Sequence, residues 1–130
     1  MNDFKLYFEE ELRSKTRQDY YPNGQLQSEE WWIGNKLLHR TDGPAYQKYY
    51  PNGQLEYRGW WVNDNRHRIG GPAMESWDEN GQRIESEEKY WLHGYHFSKT
   101  SYWKRIFEMV AQGKIRNPID VEVDGLTAII

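Results

Sequence analysis

The sequence predicts a mainly β fold: an open, twisted antiparallel meander of repeated β-hairpins, followed by one C-terminal amphipathic α-helix. Three observations lead there. The string YYPNGQL occupies positions 20–26 and again 49–55. A Trp-Trp pair follows each copy, Trp31-Trp32 and Trp60-Trp61, and Tyr90-Trp91 stands in the third place. The tetrapeptide DGPA at 42–45 returns 28 residues later as GGPA at 70–73. Gly24, Gly53 and Gly81 are spaced by 29 and 28 residues. Separate landmarks therefore share one period, the mark of an internal repeat built on a supersecondary unit.

Each unit reads as a hairpin. In Tyr-Pro-Asn-Gly, proline sets φ at the second turn position, asparagine tolerates the third, and glycine takes the left-handed site. That is a three-residue loop built on a type I turn with a bulge. The flanking residues are aromatic and β-branched, as strands prefer. The far ends of the strands turn at 33–36, 62–65 and 92–94. Gly-Pro-Ala then returns the chain in extended form, because the residue before proline avoids the helical region. Strands are expected at 46–50, 55–62, 74–77 and 84–92. Residues 1–18 form a degenerate edge segment, in which Phe4, Tyr7, Phe8 and Leu12 fit either an edge strand or a helical face. Three hairpin repeats fill 19–97. A helix follows over 98–113, with Ser98 as N-cap, a stripe of Tyr102, Ile106 and Val110, and Trp103 and Phe107 beside it. It is expected to cover one sheet face. The tail, 114–130, alternates like a short last strand near residues 119–125. All of this makes one domain of 130 residues.

Composition narrows the function. Hydrophobic residues make up 37% of the chain, yet aromatics reach 16%, with seven Trp and ten Tyr. Disordered chains are poor in aromatics, so a thin, half-buried structure is indicated instead. The net charge of −3, with signs interspersed, lacks the basic face that nucleic-acid binding wants. No cysteine is present, which excludes disulfides and thiolate chemistry. The acidic start MNDFKLYFEEEL is not a signal peptide, and no run reaches the length of a membrane span. A cytoplasmic protein is the expectation.

These motifs resemble the MORN-repeat (membrane occupation and recognition nexus) proteins, and more closely the variant of phages, giant viruses and some bacteria. The variant's pattern is aromatic-x-x-Gly-Lys-x-His-Arg-x-Asp-Gly-Pro-Ala followed by Tyr-x-Asn-Gly. Here the matching stretches are WWIGNKLLHRTDGPAYQKYYPNGQL, WWVNDNRHRIGGPA and YWLHGYHFSKTSYWKRI, together spanning about 20–107. The third copy has Glu79 in place of proline and two extra residues before Tyr90; the second has Gly70 in place of aspartate. The resemblance implies a scaffold or binding surface without a reaction, and a phage or viral accessory protein that inhibits a host protein by occlusion.

Candidate sites follow from the residues. His39 and His67 recur at equivalent positions, a hairpin apart, where they pack or hydrogen-bond at strand ends; a metal site needs three or four converging ligands. Arg40 and Asp42 suit an ion pair closing their own turn. Consecutive acids such as Glu29-Glu30 and Glu87-Glu88 point to opposite faces of a strand, which is the wrong geometry for acid–base work. No nucleophile motif or phosphate loop is present. No catalytic residue, metal or cofactor is therefore assigned, and the protein is not read as an enzyme. The binding candidates are Trp31, Trp32, Trp60, Trp61 and Trp91, expected to stack into ladders, with Arg40 and Arg68; Trp, Tyr and Arg dominate binding hot spots. The expected partner is another protein, with self-association through a sheet edge as a further possibility. Sequestering a small aromatic or nucleotide-like ligand is the first alternative. A membrane-surface scaffold is the second, disfavoured by the charge and by the lack of a basic amphipathic helix.

Overall fold

The computed structural model describes residues 14–34 and 37–118. The expected element at 4–12 and the expected strand near 119–125 lie outside the described residues. The chain forms β1 (Ser14–Tyr20), β2 (Leu26–Ile33), β3 (Leu37–Leu38), β4 (Tyr46–Tyr49), β5 (Leu55–Gly59), β6 (Trp61–Val62) and β7 (Asn65–Arg66). It continues with β8 (Met74–Ser76), a 3-10 turn at Glu85–Glu87, β9 (Tyr90–Leu92), β10 (Tyr95–Phe97) and α1 (Lys99–Ala111). An open antiparallel sheet runs β1-β2-β4-β5-β8, with β3 pairing to β2; β6-β7 and β9-β10 are separate two-stranded ribbons. The fold is thus the mainly β hairpin meander with a C-terminal helix.

Turn chemistry explains the repeated letters. Gly24, Gly53 and Gly81 adopt φ of 86°, 89° and 84°. In each turn the glycine N–H donates to a carbonyl three residues back, Tyr21, Tyr50 and Asp78 respectively. The ladders shift register at Asp19/Tyr20 and Lys48/Tyr49, the bulge that this loop requires. At the far ends, Asn63-Asp64 and His93-Gly94 form two-residue loops with φ positive at both residues, the turn that matches strand twist.

The same letters also join the units. The Tyr21 hydroxyl donates to the Tyr49 carbonyl at 2.6 Å, and Tyr50 repeats the contact on Trp77 at 2.8 Å. The Asn23 and Asn52 amides donate to the Pro51 and Glu79 carbonyls, each at 3.2 Å. YYPNGQL is therefore a turn and a staple to the next turn, a second role that the local pattern does not announce.

Three expectations need correction. The strand expected over 84–92 is reduced to Tyr90–Leu92, because the two extra residues of the third unit are absorbed by the 3-10 turn. The strand expected over 55–62 breaks at Trp60, whose N–H pairs with the Ala73 carbonyl as the hairpin bends away. The face that the helix covers belongs to the β9–β10 ribbon at the end of the array, and not to the main sheet. Tyr102 and Ile106 are fully buried there with Tyr90 and Leu92, and Phe97, Trp103 and Ile69 pack around them. In register with Arg68, the next unit offers Ser98, so α1 begins where another Gly-Pro-Ala return would have started the next hairpin. Ser98 caps the helix by accepting from the Ser101 N–H.

Candidate binding site

The recurrent His-Arg-x-x-Gly-Pro-Ala motif folds back on its own hairpin. The Arg40 guanidinium lies 4.1 Å from the Trp31 ring, and Arg68 lies 3.7 Å from Trp60. Each also donates to the proline carbonyl of its motif, Pro44 at 3.2 Å and Pro72 at 3.0 Å. The motif glycine is what lets the arginine cross: a Cβ on Gly43 or Gly71 would sit 2.8 or 2.9 Å from the guanidinium carbon. Arg40 is paired with Asp42 at 2.9 Å, and that contact holds the exposed Asp42 carboxyl below its ordinary range. The histidines serve the neighbouring hairpin. His39 Nδ1 accepts from the Asn63 N–H at 3.0 Å, and His67 Nδ1 from the His93 N–H at 2.9 Å, in both cases at a left-handed residue. His67 and His93 stack at 4.1 Å. Among the described residues, no group of three or more His, Asp or Glu could hold a metal ion.

The aromatic ladders differ from the expectation. Among the described residues no two tryptophans stack; cations stand between the rings instead. On one face Arg40 covers Trp31, and Trp60 has Arg68 and, at 5.0 Å, Arg58. On the other, Lys15 lies over Trp32, and Arg66 bridges Trp61 at 5.6 Å and Trp91 at 5.2 Å. All seven sequence-nominated residues are only half-buried. Arg40, Trp60 and Arg68 converge on one groove of about 610 Å³. Trp31 lies beneath Arg40 at its side, while Trp32, Trp61 and Trp91 belong to the opposite face and do not join them.

A larger cavity adjoins that groove, where the third unit meets α1. It is an open trough of about 740 Å³. Among the described residues five cations line it: Arg58 from β5, Arg68, Arg83, Lys89 and Lys99. Three carboxylates face them, those of Glu75, Glu85 and Glu88. Glu75, on β8, is only 2% exposed, and three guanidiniums hold it. Arg58 Nε lies 2.8 Å and Arg68 Nη1 3.2 Å from one carboxylate oxygen, with Arg83 Nη2 2.6 Å from the other. Arg83 Nε also pairs with Glu88. Burial lowers the Arg68 pKa from its ordinary value, and Glu75 opposes that shift. A buried carboxylate bound by three guanidiniums fixes their positions.

The nominated set contained only Arg68 of this trough. The missed signal was a comparison of the repeats with one another: Gln18, Gln47 and Glu75 are equivalent positions, as are Glu29 and Arg58. Gln18 bonds Glu29 at 2.8 Å within the first hairpin, whereas Glu75, at the start of the third unit, meets Arg58 of the second across the β5–β8 ladder. The loss of aspartate at Gly70 belongs to the same change. Gly70 has φ of 104°, and its N–H and that of Gly71 donate to the Tyr102 hydroxyl, which itself donates to the Arg68 carbonyl. An aspartate there would be strained, and its Cβ would lie only 3.1 Å from the Pro118 ring.

This is a hairpin-repeat sheet whose last unit is specialised and closed by a helix. Comparison with family models, curated proteins and solved structures finds no significant match to the chain. No helix among the described residues is long and apolar enough to cross a membrane.

Proposed function

We propose that this protein is a non-catalytic binding module for another protein, engaged through the face that carries Trp31, Trp60, Arg40 and Arg68 and the trough beside it. One observation supports the reading above its rivals: an open trough sets five cations against three carboxylates among the described residues, on a chain whose net charge is −3. An open, charged trough flanked by half-buried Trp and Arg suits a partner's surface, which brings its own opposite charge. Sequestering a small aromatic ligand calls for an enclosed pocket with a free ring face. Trp60, in the adjoining groove, is already covered by arginines.

The resemblance to phage-type MORN repeats makes a host cytoplasmic protein the class of partner, and occlusion of its working surface the mode of action. The test is affinity capture from host lysate, followed by reconstitution with the purified partner. Wild type should retain one protein and bind it directly. Capture of no protein by a folded wild type, with an aromatic small molecule recovered from it instead, would transfer the reading to ligand sequestration.

A further inference from the structure

We infer that the trough between β8 and the N-terminus of α1 is a receptor for an acidic peptide segment, with Arg83, Lys89 and Lys99 as its outer contacts. This rests on the protein-binding reading and names the chemistry of the partner.

Four observations carry it. First, the described residues of the trough carry a surplus of two positive charges, five cations against three carboxylates, on a negatively charged chain. Second, the inner arginines are already oriented by a carboxylate: Glu75 occupies the fork of Arg58, Arg68 and Arg83, so the trough is built around the group it is inferred to bind. Third, α1 breaks the electrostatic rule for helices. Acids are favoured in the first turn because the helix N-terminus carries partial positive charge. Here the first turn has no acid and starts with Lys99. The cation and the helix end add their potentials on the trough side, a local cost that function explains better than folding does. Fourth, these features come together where the third unit begins. The earlier units have Gln18 and Gln47 at the position of Glu75, and the earlier motif arginine, Arg40, pairs with Asp42.

The ligand class follows from what the trough lacks. Of the rings that line it, Tyr90 and Trp103 pack against Tyr102, His96 lies against Trp91, and Phe97 packs on the core cluster. The lining is dominated by charged side chains, not by a stacking platform for a nucleobase. Glu85 and Glu88 on the rim would repel a compact dianion such as phosphate, but they can accept from the backbone N–H groups of an extended peptide. Side-chain carboxylates of that peptide reach Lys89, Lys99 and Nη1 of Arg83, whose Nε and Nη2 are taken by Glu88 and Glu75.

The experiment is a fluorescence-anisotropy titration with a capped, dye-labelled oligoglutamate peptide, run on wild type, Lys99→Glu and Lys89→Gln/Lys99→Gln. Both lysines are exposed, so these variants fold. Wild type should bind saturably, weaken steeply with added salt, and lose at least tenfold in affinity in each variant. Lys99→Glu should at the same time raise the thermal midpoint, because it supplies the missing first-turn acid. Inorganic phosphate at equal ionic strength should compete no better than chloride. Three results overturn the inference: no binding at low salt, unchanged affinity in both variants, or specific competition by phosphate. Capture of a lysate partner that survives Lys99→Glu would leave the protein-binding reading standing and remove the trough from it.

Discussion

Individual residues divide the repeat's work among arginine, glycine and histidine. Arg68 is held by Trp60, the Pro72 carbonyl and Glu75, so it cannot swing away from a new methyl group on Gly71. Gly71→Ala should therefore cost about 1–3 kcal/mol in urea denaturation, the usual price of overpacking. Arg40 has the same ring and carbonyl contacts, with Trp31 and Pro44, but its carboxylate partner is Asp42, whose side chain is 82% exposed and can follow it outward. Gly43→Ala should be near neutral. Equal losses at the two sites would contradict this division. His67 gives a pH dependence. Burial, and secondarily His93, lowers its pKa from the ordinary value. The folded protein thus takes up a proton less readily than the unfolded chain. Stability is complete above about pH 6.5 and is lost as pH falls toward the lower folded value, by at most ~1.4 kcal/mol per pH unit. Replacing His67 with Asn should flatten the urea midpoint over that window relative to wild type; an identical pH profile in both proteins would refute the role.

Within the elements, turns were legible and docking was not. Tyr-Pro-Asn-Gly and Gly-Pro-Ala specify φ locally, so the turns and the extended returns can be read from short strings. The stripe Tyr102-Ile106 says that α1 buries a face, but not against what. Its partners, Tyr90 and Leu92, are identified only once the third hairpin has curled away from the sheet. The Arg58–Glu75 contact was hidden for a related reason: it joins residues 17 apart that meet only through the β5–β8 register. The helix docking rests on one hydroxyl, that of the fully buried Tyr102, which serves Gly70, Gly71 and the Arg68 carbonyl. Tyr102→Phe should cost about 1–3 kcal/mol, since it leaves buried backbone groups unsatisfied. It should also accelerate amide exchange in α1 more than in β2. A uniform effect along the chain would show that the hydroxyl does not anchor the helix in particular.

Across the whole molecule, burial is uneven. The cluster of fully buried large side chains is at the C-terminal end, around Tyr102 and Ile106, whereas β1 is exposed along most of its length. A one-layer array of this kind gains stability from neighbour-to-neighbour contacts, so opening should be graded along the chain and not all-or-none. The same end carries the departures from the repeat: Glu75, Gly70, the two extra residues before Tyr90 and the helix itself. Specialisation at the closed end of a regular array is the reason to seek the partner there. The most direct measurement is a titration of the ¹⁵N-labelled protein with the oligoglutamate peptide, followed by amide chemical shifts. Shifts concentrated at Arg83–Lys89 and Ser98–Trp103, with the Trp32, Trp61 and Trp91 amides unmoved, are the predicted result. Shifts centred on those three tryptophans, or none at saturating peptide, would contradict it.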